Sequence, residues 1–359
     1  MERRIPQRAR IADVAREAGV SKTAVSFAFN SPARLAPETA RRIREVAASM
    51  GYRADPVART LSQRRTHTVG VLTPQALSVV FSNPFFGEFA EGVGLGVEAA
   101  GYALTFISPL HGSLTGALAR AMVDGAIVVG VSAEHPEVEQ IRAAGIPLVM
   151  VDSSARTDQP GVEIDDEGGA RAAAAHLLEL GHRDLLVVSM GSAPPGAPAD
   201  ADWVTSRRLR GYAAALGEHG LRLDSRDVVT APATIAGGTA ALRRAWAAGR
   251  RPTGVLVMSD AMAIGVLVAA RELGLRVPGD LSVVGYDDVD TSRHTDPPLT
   301  TVHQPIREKG ERAVRLLLSL VDGRTPRQPG QVRLATRLIV RSSTAPVPDT
   351  ARTGTFLPG

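Results

Sequence analysis

Between residues 11 and 51 the apolar positions recur with the period of a helix. Ile11, Val14, Ala15 and Ala18 fall at i, i+3, i+4 and i+7, the stripe of a short amphipathic helix. Gly19 follows where a left-handed C-terminal residue is wanted, and Ser21 stands where it caps the next helix. That second helix is predicted over residues 22–29, with Ala24, Val25 and Ala28 inward. A third, over residues 37–50, turns Ala40, Ile43, Val46, Ala47 and Met50 inward and ends at Gly51. Counted from Ile11, the residues Ala15, Gly19 and Val25 take positions five, nine and fifteen. A small residue lets two helices approach, a glycine permits the turn, and a branched apolar residue fills the angle between them. That is the skeleton of a helix-turn-helix.

From Thr68 onward the texture changes. Apolar runs at 69–72, 103–107, 125–129 and 147–151 read as buried strands, separated by helical patterns at 86–100, 115–123 and 136–144. The rhythm returns with strands at 185–189, 254–258 and 281–286 and helices at 168–180, 207–219 and 262–273. Repeated βαβ units make parallel sheets covered by helices. The fold class is therefore α/β, with an all-α headpiece ahead of two α/β lobes. The lobes are expected to join near residues 152–166 and again near 288–303, leaving a cleft at the carboxyl ends of the strands, where ligands bind.

The second helix turns a different face outward. At about 100° per residue, Lys22, Thr23, Ser26, Phe27 and Asn30 share the side opposite Val25. In a major groove Lys22 can donate to guanine or to phosphate, Thr23 can reach bases or phosphate, and Ser26 suits a phosphate. Phe27 either covers a thymine methyl or packs back on the third helix. Beyond it, Asp55 and Pro56 suit a helix start, and Val57, Ala58 and Leu61 make a one-sided apolar turn beside Arg59, Arg64 and Arg65. An apolar tip among phosphate-gripping neighbours is what a DNA-kinking wedge requires.

Charge strengthens this reading. The whole chain carries a formal +4, but residues 1–65 hold fourteen Arg/Lys against six Asp/Glu, so a +8 head precedes a −4 body. A compact positive head suits a polyanion. The only lysines are Lys22 and Lys309, and cysteine is absent, which removes thiol catalysis and thiolate metal sites. The basic N-terminus lacks a signal-like apolar run and no segment has the length of a membrane span, so a soluble, cytoplasmic protein is expected.

Enzyme signatures are lacking. Gly92, Gly94 and Gly96 lie mid-helix and read as helix-packing glycines, and neither a phosphate loop nor a Gly-x-Ser-x-Gly elbow occurs. His176 and His182 point to different helical faces, and Asp287, Asp288 and Asp290 lack the glycine and distal glutamate of a calcium loop. No metal, cofactor or catalytic role is expected. Asp152, Asp260 and Asp287 follow or end predicted strands, where carboxylates can accept hydrogen bonds from ligand hydroxyls, and Arg208 can donate.

The segments "IADVAREAGVSKTAVSFAFN", "PETARRIREVAASMGY" and "PVARTLSQRRTHTVGVL" resemble the headpiece and hinge of the lactose-repressor (LacI/GalR) family. By that resemblance Lys22 and Thr23 match the chief base-reading pair and Leu61 the hinge leucine that enters the minor groove. Two departures stand out. Phe27 replaces a base-contacting arginine, which predicts a different operator. Ala36 replaces a serine before Pro37, which removes a helix cap of roughly 1 kcal/mol. The body segments "SNPFFGEFAEGV", "GIPLVMVD", "RRLRGYAAAL", "VPGDLSVVGYDD" and "DPPLTTVHQP" resemble the family's periplasmic-binding-protein-like domain.

The resemblance carries effector contacts to Asp152, Arg208, Asp287 and Gln304, with apolar contacts from Phe85 and Phe86. Ser259 stands where sugar-binding members carry asparagine, and Asp260 is expected to cap the helix that begins at Ala261. The implied protein is a homodimeric repressor of palindromic duplex operator DNA, controlled by a small-molecule effector, a sugar or related metabolite. A sugar-binding transport component is the alternative. The expected domains are a headpiece over residues 1–54, a hinge over 55–66, an effector and dimerisation domain over 67–344, and a disordered tail over 345–359. Residues 192–202 form a loop beside the cleft, either a lid or an idle surface segment.

Overall fold

Val14, Val25, Ala28 and Ile43 are fully buried together with Ala15, Ala18 and Ala47, so three short helices close on one small core. They are α1 (Ile11–Glu17), α2 (Lys22–Asn30) and α3 (Pro37–Ser49). Gly19 takes φ +62°, the left-handed conformation the turn needs, and Gly51 ends α3 at φ +63°. Ala36 supplies no side-chain cap to α3, as the sequence departure implies. The computed structural model describes residues 9–52, 65–109, 112–153, 159–191, 203–324 and 331–347, divided into two compact units, Met1–Thr66 and His67–Gly359.

In the second unit, valine-rich runs form strands whose every residue is buried, as at β3 (Gly125–Val129) and β4 (Leu148–Val151). They sit in one parallel sheet with β1 (Thr68–Leu72), β2 (Ala103–Ile107), β5 (Gly161–Ile164) and β11 (Gln331–Leu334), ordered β11-β5-β4-β3-β1-β2. The other sheet is ordered β12-β10-β9-β8-β6-β7, from β6 (Leu185–Met190), β7 (Val228–Ala231), β8 (Gly254–Val257), β9 (Ser282–Asp287), β10 (Thr300–His303) and β12 (Arg337–Ile339). Among the described strands only β12 runs antiparallel to its neighbour. The first sheet is covered on one face by α4 (Pro84–Ala99) and α11 (Ile306–Val321), on the other by α5 (Leu114–Ala121) and α6 (Pro136–Ala143). The second lies between α7 (Asp166–Glu179) with α8 (Trp203–Glu218) and α9 (Ile235–Ala247) with α10 (Asp260–Glu272).

The two-lobe expectation holds, with three differences. The chain crosses between sheets three times, after β5, between β10 and α11, and between β11 and β12. The last crossing has no counterpart in the expected pair of joins, because β11 and β12 are short edge strands with polar residues. Second, the chain beyond Ser343 stays bound as far as Val347, whose amide donates to Leu180 O at 3.0 Å. His176 Nε2 meets Thr344 Oγ1 at 2.9 Å and His182 Nε2 meets Ala345 O at 3.0 Å, so both histidines hold this tail. Residues 192–202 and 348–359 lie outside the described set.

Third, of the three mid-helix glycines only two serve packing. A methyl group on Gly92 would lie 2.0 Å from the Arg307 carbonyl oxygen, and one on Gly96 would press Val314 at 3.0 Å, whereas Gly94 faces open space. Gly92→Ala is therefore expected to destabilise by about 1–3 kcal/mol, as overpacking against backbone does. Gly94→Ala should be neutral or raise stability by up to about 1 kcal/mol through helix propensity. Urea unfolding followed by circular dichroism separates the two, and equal effects would refute the close approach of α4 and α11.

Candidate functional site

In the headpiece, Ser21 caps α2, its Oγ accepting from the Ala24 amide at 3.1 Å. Val25 and Ala28 hold α2 to the core, which leaves Lys22 and Thr23 exposed on its first turn. Ser26, Phe27 and Asn30 are half-buried, and Asn30 Nδ2 donates to Ser26 Oγ at 3.2 Å, a one-turn brace along the same side. Phe27 does not join the packing around the third helix. Its ring stays outside the headpiece core and lies under the Arg34 guanidinium, 5.0 Å from the centroid. Arg59 and Leu61 fall outside the described residues.

In the body, the sequence-predicted effector residues converge at strand carboxyl ends. Asp152 follows β4 with φ +52°, and Asp287 ends β9 with φ +125°, followed by Asp288 at +59°. Non-glycine residues in this region are strained, and such strain concentrates at binding sites. A fully buried lysine joins them. Lys309 Nζ donates to both oxygens of Asp152, at 2.8 and 2.7 Å, and to Gln304 Oε1 at 2.6 Å. Gln304 Nε2 in turn donates to Asp287 Oδ1 at 2.6 Å. Phe85 sits over the same ammonium, 5.3 Å from it, stacked with Phe89, while Phe86 packs edge-on and buried.

Arg208 anchors the other end. Its Nε donates to Asp166 Oδ1 at 2.8 Å, its Nη1 donates to the Met258 carbonyl and lies 4.0 Å from Asp287, and its guanidinium stacks 3.5 Å from the Tyr286 ring centroid. Burial works against its charge, but Asp166, Tyr286 and Asp287 outweigh that and hold its pKa above the usual arginine range. Burial raises Asp166, with Arg208 pulling the other way. Asp287 is pushed up to about 6 by burial, against the pull of Arg208 and the Gln304 hydrogen bond.

Ser259 and Asp260 correct the expected capping. Ser259 Oγ accepts from the Met262 amide at 3.3 Å, so Ser259, buried, is the cap of α10, and Asp260 is its first residue. Asp260 instead receives the Thr301 hydroxyl at 2.6 Å and the Val289 amide at 3.1 Å, and burial beside Asp287 raises its pKa well above the ordinary value. It is a structural acid. Among the described residues no cluster of potential metal ligands occurs; Asp288 pairs with His303 and Arg341 instead.

Residues 10–55 match the signature of bacterial regulatory proteins of the lacI family, and residues 174–344 match that of the periplasmic binding protein-like domain. The HTH-type transcriptional regulator CelR of Thermobifida fusca is 32% identical over 350 residues, covering 96% of this chain and 100% of CelR. The chain belongs to the LacI family of transcriptional regulators. A solved CelR–cellobiose complex superposes with a TM-score of 0.69 at 30% identity, covering 94% of this chain and 100% of the other. The Lac repressor dimer bound to operator and the anti-inducer ONPF does so at 0.79 and 25%, with the same coverage. As a LacI-family member the chain is a DNA-binding transcriptional regulator and not an enzyme.

Sequence reasoning missed Lys309, Asp166 and Tyr286. A signal for Lys309 existed. In α11 the buried positions are Ile306, Lys309, Gly310, Ala313, Val314 and Leu317, so the lysine occupies a core-facing place in an apolar stripe. Asp166 and Tyr286 gave none, since an acid in a first helical turn and a tyrosine in a strand are ordinary.

Two outcomes follow from this network. Lys309→Met strands Asp152 and Gln304 without their donor and should cost about 3–5 kcal/mol in urea unfolding. Adding Asp152→Asn should recover part of that loss, and equal losses in the single and double variants would rule out the pair. An acid whose folded pKa is raised favours the folded state where it is protonated. The Asp287 contribution is therefore complete below its unfolded value of about 4. It is lost as pH rises through about 6. Asp287→Asn should accordingly flatten the fall in urea midpoint between acid and neutral pH, and an unchanged slope would show that other groups cause it.

Proposed function

We propose that this LacI-family regulator is a cytoplasmic, homodimeric repressor whose grip on a palindromic operator is controlled by a carbohydrate held between its two lobes. The observation that carries the proposal is the linked network of Asp152, Lys309, Gln304, Asp287 and Arg208 at strand carboxyl ends. Carboxylates there accept from hydroxyls, the arginine donates, and the Phe85 ring offers an apolar face, a combination suited to a polyol ring. The likeness to the CelR–cellobiose complex supports the same chemistry. Asp152, Arg208, Asp287 and Gln304 are the proposed polar contacts, with Phe85 and Phe86 apolar and Ser259 at the corner of the site. With serine rather than asparagine at position 259, that corner offers a hydroxyl whose oxygen already accepts from Met262, and the preferred sugar should differ accordingly.

On DNA, the proposed contacts are Lys22 and Thr23 to bases, Ser21, Ser26 and Asn30 to the backbone or neighbouring bases, and the Phe27–Arg34 pair at the groove edge. Arg59 and Leu61 complete the proposed interface as phosphate grip and minor-groove wedge. Two-fold pairing of the chain suits a two-fold operator, as in the Lac repressor dimer. Ligand-dependent rotation of the lobes would alter the spacing of the two hinge segments.

The test is fluorescence anisotropy of the full chain on operator fragments selected from random duplex, with and without a panel of mono- and disaccharides that includes cellobiose. One sugar should shift operator affinity at least tenfold, about 1.4 kcal/mol, and Asp287→Asn or Arg208→Met should abolish the shift while operator binding without sugar persists. Leu61→Ala should weaken specific binding far more than nonspecific binding. Absence of any duplex preference would sink the proposal.

A further inference from the structure

Away from the cleft, a second group of polar side chains lies at the edge of the first sheet. There β11 runs parallel to β5, with Gln331 opposite Gly161 and Arg333 opposite Glu163. Paired residues of parallel strands, and alternate residues along each, share one face, so Gln331, Arg333 and Glu163 line the same side. A methyl on Gly161 would meet the Gln331 amide at 2.7 Å, so this amide lies directly over the glycine. From the other lobe, α8 brings Arg207 and, one turn earlier, Trp203. Arg207 Nη1 donates to Glu163 Oε2 at 2.8 Å and Arg333 Nε to Glu163 Oε1 at 3.0 Å. The Arg207 guanidinium also lies 5.6 Å from the Trp203 ring centroid.

This arrangement leaves donors over. Among the described residues, Arg207 Nη2, Trp203 Nε1 and both polar atoms of the Gln331 amide are buried without a hydrogen-bond partner, and so is Nε2 of Gln159, two residues before Gly161. Arg207 is 2% exposed and Gln159 4%. Buried polar atoms are almost always paired in folded proteins, and an unpaired one on a charged group is the most costly. The surplus is four donating groups against one acceptor, Gln331 Oε1. Glu163 is shared by two guanidiniums, and Arg333 also reaches toward Asp165 at 4.0 Å, so it is Arg207 that is left with an unpaired Nη2. What completes such a set is small, negative and rich in acceptors.

We propose that Arg207, Trp203 and Gln331, backed by Arg333, form a second binding site, for an oxyanion: the carboxylate or phosphate group of a small metabolite. It is separate from the carbohydrate cleft and independent of that reading. Successive residues of one helical turn serve the two sites, since Arg208 faces the cleft and Arg207 this edge. An oxyanion held here ties β5 and β11 of the first lobe to α8 of the second, beside the first crossing, and so biases the lobe rotation from outside the cleft.

Trp203 can report on the site, because the chain has only two tryptophans. The other, Trp246 on α9, lies under Arg251 in the second lobe. Full-length protein labelled with 5-fluorotryptophan, its two 19F resonances assigned with Trp246→Phe, is titrated with potassium phosphate, potassium acetate and glucose 6-phosphate. Potassium chloride at equal ionic strength is the control. The expected result is a saturable shift of the Trp203 resonance alone, with the apparent affinity lowered at least about tenfold by Arg207→Gln or Gln331→Leu. Gln331→Leu leaves the Glu163 ion pairs in place and so decides the matter if Arg207→Gln does not fold. Binding of phosphate or acetate identifies a free anion. A response confined to glucose 6-phosphate that survives Asp287→Asn identifies the charged arm of a larger metabolite. No saturable shift with any of the three, equal movement of both tryptophans, or loss of the response on Asp287→Asn overturns the proposal.

Discussion

An ammonium group removed from water must be surrounded by acceptors, and in this chain that demand falls on Lys309. Desolvation of an isolated ion costs several kcal/mol and is offset only where geometry is good and every proton finds a partner. All three protons of Lys309 do, two at Asp152 of the first lobe and one at Gln304, the residue at which the chain passes from β10 toward α11. Gln304 then donates to Asp287 of the second lobe. A continuous run of polar contacts therefore joins the strand ends of both lobes, and any rearrangement of the lobes has to rehydrate or re-pair this one lysine.

The surroundings are organised to make that possible. One apolar cluster extends without a break from α4 and α11 through the first sheet to α7, α8 and the second sheet, so the lobes share packing as well as polar contacts. Strained backbone at Asp152 and Asp287 brings two acids to the junction, while Asp288, equally strained, is held within the second lobe. Their charges are managed individually: Asp152 by the lysine, Asp288 by His303 and Arg341, and Asp287 by Gln304 and the nearby Arg208. Asp260 is hydrogen-bonded through both oxygens, to the Thr301 hydroxyl and the Val289 amide.

How much of this was legible in sequence depends on what each element asks of its residues. The headpiece was legible because three short helices must each show a narrow apolar stripe, and the turn needs Gly19. Central strands such as β3 and β4 were legible because they are buried on both faces and must be continuously apolar. Strands β5, β7, β10, β11 and β12 were not. Thr300 and Thr301 of β10, for instance, are fully buried yet polar, since the Thr300 hydroxyl accepts from the Arg341 amide and the Thr301 hydroxyl donates to Asp260, partners that only tertiary structure supplies. Of the cleft, the acids at strand ends could be read from position. The Arg208–Asp166 pairing and the role of Lys309 depended on elements far apart in the chain. The tail beyond Ser343 looked disordered by composition, and only the half-buried His176 and the buried His182 explain why its first residues are held.

The order in which the sheets are closed bears on how the protein is made. Strand β5 is synthesised early but gains its outer neighbour only when residues 331–334 emerge, and the face bearing Phe89 and Val93 stays bare until α11 is complete. The second sheet likewise waits for residues 337–339. A nascent chain on the ribosome thus carries an open strand edge and an uncovered apolar face through a long part of translation, a state prone to association with other chains. Neither lobe corresponds to a contiguous stretch of the gene, so exchange of ligand-sensing halves between relatives by simple recombination would require three coordinated breakpoints rather than one.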